Sequence, residues 1–371
     1  MKYTVRKTNR KHLVIIPLLF CVALAGCSRN REKEQEYVVE IPEHILWEIE
    51  ELTARQPTVW THLVFPTEQD GLLDPNRQGV FQPTASGRLE SALFGSVRTA
   101  MRSGRLRATF HEGIDIAPTQ RDGRGRPRDM VVSVAEGRVA YVNAVAGNSN
   151  YGIYIVVIHD DPMGPIYTLY SHLADARVRQ GDLVAPGTPL GLMGNTSSSA
   201  IPMVRAHLHF EVGVILNRRF NDWFRSAGYS SPHGTYHGWN LLGVDPLTFF
   251  AQQRMEPHLL FDEVLDETPV CFEWVLRANR NPDYFAQYPS RWHGEPFRSG
   301  AITVQFSENG VPLTGRNATR DEAKKLGSQS AIVTAVEPEV LGRNGRRLIE
   351  QQRGRWQLGT EGRKHLAMLL Q

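Results

Sequence analysis

Two histidines stand two residues apart in an otherwise apolar stretch, AHLHFEV at residues 206–212. Extended backbone alternates side chains between faces, so a strand places His207 and His209 on one face and Leu208 and Phe210 on the other. A single histidine in a strand is usually a hydrogen-bonded core residue. Two in register each need a partner once they are removed from water. The pair therefore predicts a partner facing this strand.

A complementary set of polar side chains lies upstream in FHEGIDIA, residues 110–117. In an extended segment His111 and Asp115 share a face, with Gly113 between them. A helix would also bring positions i and i+4 together, but the glycine and the isoleucines favour extended backbone. Two imidazole nitrogens and one carboxylate oxygen suit Zn²⁺ with water in the fourth position, as in catalytic sites. We interpret Gly113 as leaving room for a bulky group.

A third motif, LYSHL at residues 169–173, places His172 near the end of an alternating strand. Such a histidine could orient a metal-bound water or stabilise an oxyanion. The motifs FHEGIDIA, LYSHL, GNT and HLHFEV occur in this order. With FGSVR (94–98) and the glycine-punctuated run before GNT, they resemble the M23 family of zinc metallopeptidases, the lysostaphin/LytM-type peptidoglycan endopeptidases. The resemblance covers about a third of the chain.

The resemblance implies a role for five residues. His111, Asp115 and His209 match the zinc ligands, and His172 and His207 match the catalytic histidines. It implies hydrolysis of peptide bonds in peptidoglycan stem peptides or cross-bridges. Zinc would lower the pKa of its water to about 7 and polarise the scissile carbonyl. His207 would take or relay the water proton, and His172 would help to hold the oxyanion and protonate the leaving amine. The division of these roles stays open.

Two alternatives to this function stay open. The first is a non-catalytic cell-wall-binding activator of another peptidoglycan hydrolase. Family members of that type usually lack one or more ligands, whereas all five key residues are present here. The second is a metallopeptidase with a protein target, which differs only in its substrate.

The pattern of the chain predicts a mainly β fold. Residues 78–252 read as an antiparallel-sheet peptidase domain, with two strands in 130–142 and a hairpin from 153 to 171. Residues 255–371 read as a small α+β domain of unknown function. It should contain a strand at 301–310, a helix that begins at a Thr319/Glu322 capping box, and a terminal helix.

The first 27 residues resemble a bacterial lipoprotein signal. A basic stretch precedes a short apolar run, and Leu24-Ala25-Gly26-Cys27 resembles a lipobox, which predicts acylation of Cys27. Residues 28–77 then form a tether and lead-in, with a short amphipathic helix after Pro42. We expect a lipid-anchored protein of the cell envelope. For a Gram-negative host, the resemblance to bacterial lipoproteins implies the periplasmic face of the outer membrane, since Ser28 follows Cys27.

The charge balance argues against a nucleic-acid partner. The 371 residues carry a formal charge of +3, and the signal contributes five basic residues and no acid. The mature chain therefore has a formal charge of −2, so the basicity belongs to targeting. The 41% hydrophobic content is typical of a soluble globular protein. The oligomeric state is left open.

Several other polar residues are expected to be structural. Four arginines in the loop 118–129 could meet cell-wall carboxylates, but a solvated loop is the simpler interpretation. His233 and His237 lie in an irregular insertion and are not expected to form a second metal site. Aromatic residues of this insertion, about 217–243, could wall a groove or simply pack. Cys271 is expected to be a buried structural thiol.

Overall fold

The computed structural model describes residues 6–8, 11–15, 38–40, 56–102 and 105–371. Its contacts divide the chain into two compact units, Met1–Gln56 and Pro57–Gln371. The predicted lipidation site Cys27 and the helix predicted after Pro42 lie outside the described residues. No helix within the described ranges is long and apolar enough to cross a membrane.

The first unit contains one antiparallel sheet of three strands, β1 (Arg6–Thr8), β2 (Lys11–Ile15) and β3 (Val38–Glu40).

The strands of the second unit are short, as is usual in globular proteins. They are β4 (Val97–Arg102), β5 (Arg105–Phe110), β6 (Ile114–Ile116), β7 (Met130–Val132), β8 (Gly137–Asn143), β9 (Ile153–Asp161), β10 (Gly164–Leu173), β11 (Leu183–Val184), β12 (Pro189–Leu192), β13 (Leu208–Ile215), β14 (Leu241–Val244), β15 (Phe272–Ala278), β16 (Gly300–Phe306), β17 (Pro312–Asn317), β18 (Ala331–Val336), β19 (Ile349–Gln352) and β20 (Arg355–Leu358).

Helices connect or cover these strands. They are α1 (Phe220–Ser226), α2 (Pro246–Met255), α3 (Phe261–Asp266), α4 (Asp283–Gln287), α5 (Arg320–Leu326), α6 (Pro338–Leu341) and α7 (Thr360–Leu370), with 3₁₀ turns at Leu89–Ala92, Ala146–Asn148, Met203–Arg205, Gly234–Tyr236 and Pro289–Arg291.

The largest sheet has the order β11-β8-β9-β10-β13-β14, and β6 also pairs with β13. All its pairings are antiparallel, which confirms the mainly β prediction. The hairpin predicted from 153 to 171 is β9–β10, whose valine, isoleucine and tyrosine residues favour extended backbone. The two strands predicted within 130–142 form as β7 and β8. They do not pair with each other, because β7 pairs with β12 and β8 with β9 and β11.

A second sheet, β17-β16-β15-β18, lies in the C-terminal third. The predicted strand at 301–310 is β16, the capping box between Thr319 and Glu322 opens α5, and the terminal helix is α7. One hydrophobic core contains Trp274 and Phe306 of this sheet together with Phe210 of the main sheet. The domain boundaries expected from the sequence stay predictions.

The described part of the lead-in packs against the main sheet. Trp60 is fully buried, its Nε1 donates to Asp161 Oδ2 at 2.7 Å, and its ring meets Phe249 edge-on. Further along, Gln82 N donates to Asp115 O at 2.9 Å. The segment after Pro57 therefore supports the strand that carries Asp115.

Candidate metal centre

Pairing of β6 with β13 brings the two histidine motifs together. Asp115 stands directly opposite His209 in this antiparallel pair, and His111 lies just before β6. The three atoms His111 Nε2, Asp115 Oδ1 and His209 Nδ1 lie 2.9 Å or 3.0 Å from one another. All three residues are buried. Among the described residues, this is the cluster that could hold a metal ion.

The outer nitrogens of both rings are bonded to atoms that only accept hydrogen bonds. His111 Nδ1 donates to Leu93 O at 2.9 Å, and His209 Nε2 donates to Glu211 Oε1 at 2.8 Å. In the neutral rings the inner nitrogens therefore carry lone pairs, which point at each other and at Asp115 Oδ1. With His209 deprotonated, three lone pairs converge on one point, so the donor set fits a metal ion.

The spacing of these atoms suits Zn²⁺. A tetrahedral zinc ion with bonds of about 2.0–2.1 Å needs ligand atoms about 3.3 Å apart. The atoms of His111, Asp115 and His209 are within a few tenths of an ångström of that spacing. Two nitrogens, one carboxylate oxygen and a remaining open position are the ligand pattern of catalytic zinc sites.

The charges of the cluster compensate one another. Burial would raise the pKa of the Asp115 carboxyl, but the neighbouring His111, His207 and Arg98 hold it well below its usual range. Burial would lower the pKa of His209, but hydrogen bonds to Asp115 and Glu211 raise it to about 9. A metal ion must therefore displace a proton from His209 when it binds at neutral pH.

Gly113 does not leave room for an ion, contrary to the interpretation from the sequence. A Cβ at this position would overlap the carbonyl oxygen of Phe210 in β13. The glycine is therefore needed for the close approach of the backbone between His111 and Asp115 to the strand that carries His209.

Glu211 is a site residue that the sequence analysis missed. It is fully buried and accepts hydrogen bonds from Tyr151 Oη (2.7 Å) and Tyr167 Oη (2.9 Å), besides that from His209. Burial alone would raise its pKa, but these hydrogen bonds lower it. The carboxylate fixes the tautomer and orientation of His209. A signal was present, since Glu211 is two residues after His209 in an apolar strand and shares its face.

Arg98 holds the carboxylate of Asp115 in place. Its Nη2 donates to Asp115 Oδ2 at 2.5 Å and lies 3.1 Å from His111 Nε2, and the same guanidinium donates to Ser91 O. The second oxygen of Asp115 is thereby occupied, which leaves Oδ1 for the metal. Arg98 belongs to the FGSVR stretch used for the resemblance, but no role was predicted for it.

His207 and His172 stand side by side at the mouth of the cluster, with ring centroids 4.8 Å apart. Each donates from Nδ1 to a carbonyl oxygen, His207 to Arg205 at 2.7 Å and His172 to Thr196 at 2.8 Å. Burial lowers the pKa of His207 and holds that of His172 well below its usual range. Both rings are therefore neutral at neutral pH, and each Nε2 carries a lone pair. His207 Nε2 lies 3.6 Å from Asp115 Oδ1.

The backbone of His172 is strained. Its φ is +60°, in the left-handed region that non-glycine residues seldom adopt, and the β9–β10 register shifts between Tyr170 and Leu173. Bulges re-aim side chains, and such strain is concentrated at functional sites. The bulge is what turns His172 toward His207.

The other residues weighed from the sequence are structural. His233 is bonded on both nitrogens, to Tyr141 Oη at 2.9 Å and to Asn148 O at 3.0 Å, so it has no lone pair free for a metal. Trp223 of the insertion is buried and packs against Phe220. Cys271 is buried, and burial raises its pKa to about 12, so it is a poor nucleophile.

Two histidines and one carboxylate placed to hold a metal ion, with two neutral histidines beside them, form an arrangement suited to metal-dependent hydrolysis. Comparison with known proteins agrees with this class. Residues 109–221 match the family model described as Peptidase family M23. This stretch of the chain is therefore similar to peptidase family M23, as its motifs predicted. The family match and the donor set together confirm the prediction of Zn²⁺ as the cofactor.

Individual relatives are similar over parts of their length. An uncharacterised metalloprotease of Haemophilus influenzae is 34% identical over 125 residues, which are 33% of this chain and 22% of that protein. A zinc-containing peptidase from Vibrio cholerae is 27% identical, over 36% of each chain, with a TM-score of 0.25. The catalytic domain of lysostaphin from Staphylococcus simulans is 23% identical, over 43% of this chain and 89% of that one, with a TM-score of 0.27.

Proposed function

We propose that this protein is a zinc-dependent endopeptidase that hydrolyses peptide bonds in peptidoglycan stem peptides or cross-bridges. The observation that carries the proposal is the convergence of His111, Asp115 and His209 beside two neutral histidines. The M23 match over residues 109–221 supports peptidase chemistry. The resemblance of the motifs to peptidoglycan endopeptidases supports the substrate class.

The residues have distinct tasks in this reaction. Zn²⁺, when bound, supplies a water of pKa about 7 and polarises the scissile carbonyl. His207 Nε2 faces Asp115 with its lone pair and is placed to accept the proton of the attacking water. His172 also starts as an acceptor, so it can donate to the oxyanion or the leaving amine only after the proton taken up by His207, whose ring lies beside it, has passed to it. The leaving amine finally takes that proton.

We also propose that acylated Cys27 anchors the mature chain to a membrane of the cell envelope, with Ser28 directing it to the periplasmic face of the outer membrane. Two or more acyl chains would hold the protein firmly, whereas one chain binds only marginally. Membrane fractions of cells that produce the wild type or Cys27→Ala test this. The variant should leave the membrane fraction, and an unchanged distribution would contradict the anchor.

The activity is tested on isolated sacculi. The zinc-loaded protein should release soluble muropeptides, EDTA should abolish the release, and added Zn²⁺ should restore it. His209→Ala should be inactive, whereas His62→Ala, which alters an exposed histidine outside the site, should retain activity. Mass spectrometry of the products identifies the bond that is cleaved. A zinc-loaded protein that binds sacculi and never cuts them would support the activator alternative instead.

A further inference from the structure

The loop at residues 118–129 is fastened to the segment that delivers His207. Asp129 is buried and accepts hydrogen bonds from Thr119 N and Thr119 Oγ1, both at 2.6 Å. Arg121 donates to the carbonyl oxygens of Met203 at 2.9 Å and Ala206 at 3.3 Å, just before His207. The loop is therefore held in place by hydrogen bonds and forms a wall beside the site. The sequence analysis expected only a solvated loop here.

A cleft of about 720 Å³ lies between this wall and the two histidine segments. Its lining includes Gly194, which pairs with His207 through the bond from His207 N to Gly194 O at 3.1 Å. It also includes Ala174, two residues after His172. One side of the cleft is thus formed by residues next to the segments that carry both histidines.

The charges that line the cleft leave one cation available. Asp122 is the acidic residue of the lining. It forms an ion pair with Arg126, whose Nε donates to Asp122 Oδ2 at 2.8 Å. Arg128 also lines the cleft and is exposed. Within the described part of the chain, its guanidinium has no hydrogen-bond or ion-pair partner. Leu192 and Met193 add apolar surface beside it.

We infer that this cleft binds a carboxylate-bearing residue of the substrate peptide, with Arg128 as the residue that recognises the carboxylate. A guanidinium presents paired donors that match a carboxylate, and the apolar lining suits an aliphatic stem. This inference rests on the proposed endopeptidase function and narrows it to acidic peptides. Stem peptides of peptidoglycan, which carry free carboxylates, are such substrates.

The test compares two substrates and three zinc-loaded proteins. The substrates are cross-linked stem-peptide dimers with free carboxylates and the same dimers with these carboxylates amidated. The proteins are the wild type, Arg128→Gln and the control Arg124→Gln, which alters an exposed arginine of the same loop outside the cleft lining. Arg128→Gln should raise KM for the free-carboxylate dimer about two- to fivefold, with kcat little changed.

On the amidated dimer, the wild type and Arg128→Gln should have the same KM, and Arg124→Gln should match the wild type on both substrates. Equal KM values of wild type and Arg128→Gln on the free-carboxylate dimer would overturn the inference, as would the same loss on the amidated dimer. If the wild type cuts neither dimer, the proposed activity fails. In that case the Kd values of the same proteins for the two intact dimers test the role of Arg128. Arg128→Gln should raise Kd for the free-carboxylate dimer only, and equal Kd values of wild type and variant would overturn the inference.

Discussion

Replacing Glu211 by glutamine tests whether this carboxylate positions His209, which we propose as a zinc ligand. The structure gives Glu211 three donors, which are His209 Nε2 at 2.8 Å, Tyr151 Oη at 2.7 Å and Tyr167 Oη at 2.9 Å. Glutamine keeps the size of the side chain but removes the charge, and one oxygen acceptor becomes an amide donor. The three donors then compete for one oxygen.

The expected loss can be estimated from the type of bond that is changed. Replacing the partner of a metal-ligating histidine typically lowers metal affinity 10- to 100-fold, or by about 1.4–2.8 kcal/mol. Glu211 is fully buried and solvent cannot replace the lost charge, so we expect the upper half of this range. Tyr167→Phe removes a neutral donor from the same carboxylate and leaves the bond to His209 intact. It should change zinc affinity less than about threefold and stability by about 1 kcal/mol.

The assay is a competition titration of Zn²⁺ against a chromophoric chelator, with urea unfolding of the metal-free proteins in parallel. Glu211→Gln should weaken zinc binding by more than Tyr167→Phe does, after both are compared at equal folded fraction. An unchanged zinc Kd in Glu211→Gln, together with reduced stability, would refute the reasoning. Glu211 would then be only a buried structural acid.

Two further predictions concern stability. Arg346→Met removes the cation that lies 3.0 Å from buried Glu112, and it should lower the free energy of unfolding by about 2–3 kcal/mol, since 21% of the arginine side chain is exposed. The control Arg343→Met alters an exposed arginine and should change the free energy of unfolding, measured by urea titration, by less than about 0.5 kcal/mol. Equal losses of stability in the two variants would contradict the role of the Arg346–Glu112 pair. Burial lowers the pKa of His159 from 6.5 to about 4, so the unfolded chain binds this proton first as the pH falls. The contribution of His159 is complete above pH 6.5 and falls by about 1.4 kcal/mol per pH unit down to about pH 4. Unfolding measured between pH 7 and 4 should show a shallower slope for His159→Gln, and an identical slope would contradict this.

The centre of the site could be predicted because it depends on local periodicity. Alternation along a strand is enough to place His207 with His209. The extended backbone predicted between His111 and Asp115 is not what brings them together, because the chain bends at Gly113 before β6 and this bend allows the 3.0 Å approach of the two side chains. The convergence of the two segments on one metal ion was inferred from their donor types and the motif resemblance, and the structure adds that they pair as strands, with Asp115 opposite His209. The hairpin β9–β10 and the helix after Thr319 were predictable for the same reason, since their signals lie within a few residues of each other.

The surroundings of the site could not be predicted because they depend on contacts between distant segments. Periodicity assigns Glu211 to the face of His209, but it does not show that Tyr151 and Tyr167 cover that face. The left-handed backbone of His172 arises from a bulge that pairing with β9 reveals. Gly113 is the clearest example. The sequence suggested that the missing side chain leaves space for a bulky group, but the backbone of Phe210 in β13 fills that space.

The C-terminal third is tied to the candidate metal centre through Glu112, the residue next to the proposed ligand His111. Glu112 Oε2 accepts from Asn309 Nδ2 at 2.7 Å and from Gly243 N at 3.2 Å, and Arg346 approaches its other oxygen. Burial raises the pKa of this carboxyl, so it depends on these partners to remain charged. Two of them come from the C-terminal third. Because a buried carboxylate without partners is costly, ordering of the ligand segment and packing of the C-terminal sheet stabilise each other. Asn309 and Arg346 therefore support the segment that carries His111.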